Sequence, residues 1–188
     1  MKRILFLVLS LFSLGARMEL NAQNQAGTKK ILVAYFSQTG NTRELARQIQ
    51  RQTGGDLFEI ECAVPYPRNY DAFVEQAQQE QRQRARPALK TRVPDMEKYD
   101  IIFLGHPIWW SSIPMPVASF LAEYDLSGKT IIPFCSHGGG GPGRSRSVIA
   151  ELAPRAALAE TLALRASGGA SLPEAISAWL RKNGVREQ

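Results

Sequence analysis

The chain has 188 residues, 44% of them hydrophobic, with a formal net charge of +6 and two cysteines. That length holds one α/β domain with a proper core and is too short for two comfortable ones. No fixed-period repeat, CxxC pair or nucleic-acid recognition motif accompanies the positive charge, so a repeat array, a dithiol site and a motif-borne nucleic-acid binder are set aside.

Lys2 and Arg3 precede an apolar stretch, Ile4 to Leu14, broken only by Ser10 and Ser13. A polar region then ends at Leu20-Asn21-Ala22. This is a secretory signal pattern over residues 1–22, with a small residue at the cut. The apolar run is shorter than the roughly 20 residues that span a bilayer, so no stable membrane anchor is expected. The expected product is residues 23–188, a single domain exported to the periplasm. A translation start at Met18 would leave it cytoplasmic instead. Removing residues 1–22 takes away Lys2, Arg3, Arg17 and Glu19, three positive charges and one negative, and lowers the net charge to +4.

Lys30–Phe36 is an apolar run that stops at Ser37-Gln38-Thr39-Gly40-Asn41-Thr42. Leu45, Ala46 and Ile49 follow at helical spacing. The pattern reads as a buried parallel strand, a hydroxyl-rich turn and a helix over Thr42–Thr53, closed by Gly54-Gly55. A helix N-terminus carries unpaired N–H donors and partial positive charge, which suits an anion, most often a phosphate. No Lys or Arg lies within the turn, so a phosphate there would rest on neutral donors. Neither GxxxxGK[ST] nor GxGxxG is present. Thr39 and Asn41 would also serve as plain helix caps.

Asp56–Glu61 alternates in the manner of an edge strand, and Val64-Pro65-Tyr66-Pro67 interrupts regular structure. A helix is predicted from Tyr70 to Arg84 on the spacing of Phe73, Val74 and Ala77; its Gln-rich end with Arg82, Arg84 and Arg86 reads as a solvated face. Asp100–Gly105 is a short buried strand, followed by a loop, His106 to Ser112, that carries Trp109 and Trp110. Met115–Tyr124 is a helix with prolines at its start, and Lys129–Phe134 a fourth strand. Ser136 to Gly143 is a glycine-rich loop, Arg144–Leu152 a short helix, Thr161–Arg165 a fifth strand and Leu172–Lys182 a last helix. Cys62 is expected just past the second strand and Cys135 just past the fourth.

Alternating strands and helices mean a parallel sheet covered on both faces, with ligands bound beyond the C-terminal strand ends. The unusual loops follow strands one, three and four, at one edge of the sheet. The first suits a phosphate. The second offers flat rings for stacking, although a Trp pair also packs cores. The third lets backbone approach closely, although glycines also serve flexibility. Together they describe flavin mononucleotide, FMN.

With AYFSQTGNT, GHPIWW and CSHGGGG in this order, residues 30–183 resemble the flavodoxin superfamily. The resemblance implies a doubly wound five-stranded parallel sheet, order 2-1-3-4-5, in a three-layer sandwich with FMN at the switch point between strands one and three. It further implies that Ser37, Gln38, Thr39, Gly40, Asn41 and Thr42 hold the FMN phosphate. Pro107, Ile108, Trp109 and Trp110 would flank the isoalloxazine. Ser136, His137, Gly138, Gly139 and Gly140 would line its other side and polar edge. In the 2-1-3-4-5 strand order that the resemblance implies, two strands lie between Cys62 and Cys135, which would set them roughly 14 Å apart. A disulfide needs Cα atoms within about 7 Å, so two free thiols are expected. His106 stands where similar sequences commonly carry Tyr. Electron-carrying flavodoxins are usually strongly acidic, whereas this chain is basic. The leading functional reading is an FMN-binding electron carrier that exchanges electrons with a redox partner protein or a small-molecule acceptor. An NAD(P)H- or quinone-dependent FMN oxidoreductase and an FMN-free binding module are the alternatives. No residue pair has the spacing of an acid–base catalyst, a nucleophile or a metal site.

Overall fold

A computed structural model describes residues 29–187 of the chain. The expected signal, residues 1–22, lies outside the described residues. Ile31–Tyr35 forms β1, buried on both faces from Leu32 onward, as a central parallel strand must be. Asn41–Thr53 follows as α1, and its Leu45, Ala46 and Ile49 turn inward. Gly54 ends it in the left-handed conformation, φ 64°, and donates its N–H to the Gln50 carbonyl, which satisfies a helix-end acceptor. Then come β2 (Asp56–Glu59), α2 (Tyr70–Gln83), β3 (Ile101–Pro107), α3 (Met115–Glu123), β4 (Thr130–His137) and α4 (Ser145–Leu152). The chain closes with β5 (Ala157–Leu158), β6 (Leu162–Arg165) and α5 (Leu172–Lys182). Single 3-10 turns at Met96–Lys98 and Gly169–Ser171 were not legible as elements in the sequence.

All sheet pairings are parallel, in the order β2-β1-β3-β4, with β5 and β6 both on the outer side of β4. This is the doubly wound 2-1-3-4-5 arrangement, with the fifth position filled by two short strands instead of one. The interruption has a local cause. The Glu160 carbonyl accepts from Trp179 Nε1 at 2.8 Å, and its N–H donates to Asn183 Oδ1 at 3.0 Å. Backbone groups that would have continued the ladder are used by the end of α5.

Two strands outrun their expected ends. β3 continues past Gly105 and β4 past Phe134, because His106 pairs with Cys135 and Pro107 with Ser136 in register. His106, Pro107, Cys135, Ser136 and His137 therefore stand on strands and not in loops. Polar identity misled the reading: His106, Cys135 and Ser136 are all buried. β2, in contrast, stops at Glu59, short of Glu61. Cys62 and Cys135 are both free and both buried.

The sheet divides the core in two. One face, with Ile102, Leu104 and Ile131, packs against Val117 and Phe120 of α3 and Ile149 of α4. The other, with Val33, Phe103 and Phe134, packs against Leu45 and Ile49 of α1 and Ile176 and Trp179 of α5. Phe103 and Trp179 meet with ring centroids 5.4 Å apart. Helices on both faces leave the C-terminal strand ends as the open edge of the sheet, and the unusual loops gather there.

Candidate functional site

The first loop, Ser37 to Gly40, is folded by one hydroxyl. Ser37 Oγ accepts the N–H groups of Gly40 and Arg43, each at 3.2 Å, and so caps α1 from outside. Gly40 takes φ 93°, a conformation most side chains avoid. Among the described residues, the N–H groups of Thr39, Asn41 and Thr42 have no protein acceptor. They are the unpaired donors that a helix start presents to an anion. Arg43, one step into α1, is committed elsewhere. Its guanidinium pairs with Glu59, which also accepts the Tyr35 hydroxyl at 2.9 Å. Burial, then the Glu59 contact, push the Tyr35 hydroxyl up to about 12. The nest itself stays neutral.

In the second loop, Trp109 and Ser112 exchange both backbone hydrogen bonds, at 3.0 and 2.9 Å. Between them Trp110 and Ser111 hold φ 50° and 57°. Two consecutive left-handed residues that are not glycine or asparagine are unusual in such a tight turn. The turn separates the two indoles. Trp109 packs edge-on against Phe36, Tyr66 and Phe73, with centroids 5.3, 5.4 and 4.8 Å away. Trp110 is 49% exposed.

The third loop winds around an imidazole. His137 Nδ1 accepts the N–H groups of Gly139 at 3.1 Å and Gly141 at 3.3 Å, which puts the ring proton on Nε2. Arg144 N–H then donates to the Ser111 carbonyl at 2.8 Å, tying this loop to the Trp turn. Gly143, at φ 53°, sits at that contact; a Cβ there would stand 2.3 Å from the Ser111 oxygen. A buried hydroxyl pair, Thr42 Oγ1 and Ser136 Oγ at 2.8 Å, joins the first loop's helix to the third loop's strand.

The three loops converge on one open cleft of about 300 Å³. Thr39 of the first loop and Asn41, the first residue of α1, line it on one side, with Pro107 at the end of β3 and Ile108 and Trp109 of the second loop beside them. Ser136 and His137 at the end of β4 and Gly138 of the third loop line the other side. The remaining expected site residues stand around it. Gly40 is half-buried at the start of α1 and Thr42 buried within its first turn. Ser37 and Gln38 line a neighbouring hollow of about 170 Å³, and Trp110, Gly139 and Gly140 are exposed loop residues outside the lining. Arg165 and Ala166, at the end of β6, complete the cleft and were missed. Their signal was available: Arg165 ends a predicted strand and so falls at the same sheet edge.

His106 and Cys135 lie beneath this edge and offer no reactive group to it. His106 Nδ1 lies 3.1 Å from the Pro107 carbonyl while Nε2 has no partner, and burial pulls its pKa down to about 4. Burial pushes the Cys135 thiol up to about 12, far from a thiolate nucleophile at neutral pH.

A family model described as Flavodoxin matches residues 30–183. A flavodoxin of Haemophilus influenzae is 32% identical over 76 residues, which span 40% of this chain and 29% of that relative. A crystal structure from Bacteroides eggerthii, assigned as a flavoprotein, superposes with a TM-score of 0.76 at 34% identity, covering 85% of this chain and all of the other. A flavoprotein of Lactobacillus acidophilus, crystallised in complex with FMN, shares the fold with a TM-score of 0.66 at 19% identity. The match covers 81% of this chain and 99% of that one.

Proposed function

The chain belongs to the flavodoxin family, and from that premise we propose that it is an FMN-binding electron carrier. The cofactor is FMN. One observation carries the reading: a neutral N–H nest, a fixed indole and a glycine loop line a single cleft at the switch point of the sheet. The residues fit the group. The free N–H groups of Thr39, Asn41 and Thr42 would donate hydrogen bonds to the phosphate oxygens. Thr42 and Ser136, already joined by their hydroxyls, would turn them to the ligand's polar chain. Trp109, held by three other rings, would offer its remaining surface to the flat ring. A Cβ added at Gly138, Gly139 or Gly140 would meet no atom within 4 Å, so open space lies beside this stretch of the loop, where its backbone would border the ring edge. When bound, FMN supplies the redox chemistry, while the protein binds, orients and shields it.

The partner is a redox protein or a small-molecule electron acceptor, and the place of work is outside the cytoplasm. The basic start and apolar run of residues 2–14 support that location. The test is anaerobic stepwise reduction of the FMN-reconstituted protein, followed by visible absorbance. Reduction in two resolved one-electron steps supports a carrier. Turnover with NAD(P)H and a quinone would move the assignment to an oxidoreductase. A protein that stays colourless when FMN is offered would leave a binding module without flavin chemistry.

A further inference from the structure

The charge of the cleft comes from a residue that the loop motifs do not include. Arg165 is the only lining residue with a permanent charge, and none of the lining residues is acidic. Its guanidinium makes no hydrogen bond or ion pair among the described residues. The backbone fixes its position. Arg165 pairs in register with His137 at the end of β4. The next residue, Ala166, is held at φ 50° and donates its N–H to the His137 carbonyl at 3.0 Å. Gly168 N–H closes the turn on the Arg165 carbonyl, also at 3.0 Å. A left-handed alanine costs roughly 1 kcal/mol, so the turn holds Arg165 at the rim against a local preference.

This rim is the third-loop end of the cleft. Three strand spacings, about 14 Å, separate β6 from β1 and its N–H nest. Arg165 therefore serves the end of a ligand remote from an anion held at that nest. Resting on the FMN reading above, we propose that Arg165 sets the electron affinity of the site, by stabilising the negative charge that the flavin ring acquires on reduction. Two electrons and one proton enter the neutral ring and leave it with one net negative charge. Arg165 faces that charge with no carboxylate in the lining to oppose it. Dithionite supplies the electrons in the test and water the proton.

Opposite charges several ångströms apart at a protein surface interact strongly enough for about a tenfold change in an equilibrium. Arg165→Gln is expected to weaken the binding of reduced FMN about tenfold more than that of oxidised FMN. That lowers the two-electron midpoint by about 30 mV. Arg165→Lys restores most of the difference and Arg165→Glu enlarges it. In 1 M salt, where the screening length is about 3 Å, wild type and Arg165→Gln converge. Equal midpoints in wild type, Gln and Glu proteins that all hold FMN would overturn the proposal alone. So would equal weakening of oxidised and reduced FMN with riboflavin unaffected, since that marks a phosphate contact. A wild type that holds no FMN overturns the cofactor reading and this proposal together.

Discussion

Thr39 is exposed, and its hydroxyl lies 3.4 Å from Asn41 Nδ2, so its removal leaves the core untouched. At the nest this hydroxyl would donate to the phosphate beside the backbone N–H groups, and a hydrogen bond to a charged group contributes about 1.5–3 kcal/mol. Thr39→Ala is therefore expected to weaken FMN binding about tenfold or more, measured by fluorescence titration. Trp109→Ala should weaken it as well and also destabilise the fold, because three aromatic rings lose a neighbour. Cys135→Ala should leave affinity close to wild type, since the thiol is wholly buried. Comparable affinities in all three proteins would refute the site. His106 makes a different prediction. Burial lowers its folded pKa from 6.5 to about 4. The unfolded chain then takes up the proton first as pH falls. The stability due to neutral His106 is complete above pH 6.5 and is lost as pH drops toward about 4. The full loss is about 3 kcal/mol. Urea unfolding at pH 7 and pH 4.5 should show a larger drop for wild type than for His106→Gln.

At the scale of elements, β3 is shaped by its neighbour β4. The Phe134 ring fills the space over Gly105: a Cβ there would lie 2.2 Å from Phe134 Cζ. Gly105 has an ordinary φ, so the demand is for room and not for a special conformation. Gly105→Ala is expected to push Phe134 against Trp179, whose ring centroid stands 6.5 Å away. The cost should be about 1–3 kcal/mol, read as a lowered urea midpoint with an unchanged slope. Unaltered stability would mean that the ring relaxes without strain. The first strand, its turn and its helix were legible because hydrophobic period and capping chemistry agree there. The ends of β3 and β4 were not. Their last residues are polar or proline, and only pairing with each other makes them strand.

Across the whole molecule, the two thiols stay apart and protonated. Burial, with Glu80 adding its charge, pushes Cys62 up to about 11, and burial pushes Cys135 up to about 12. Ellman's reagent at pH 8 should react with neither in the folded protein and with both after unfolding in urea. Reductant should leave the melting temperature unchanged. Rapid labelling of the native protein would contradict the buried placement. Packing accounts for this protection: Cys135 lies on β4 at 0% exposure, and Cys62, past the end of β2, is 9% exposed and packed into the core on one face of the sheet.

By itself the sequence determined the layered α/β architecture, the strand order implied by its family motifs and the three loops that carry the site. Those features are written in local patterns, namely apolar period, turn residues and caps, which act within a few residues. Only the tertiary structure decided which Trp is fixed and which is exposed, that Thr42 and Ser136 meet, and that Arg165 closes the cleft. Each of these depends on contacts between segments far apart in the chain. Such contacts come from strand register and helix packing, which no single window of sequence contains.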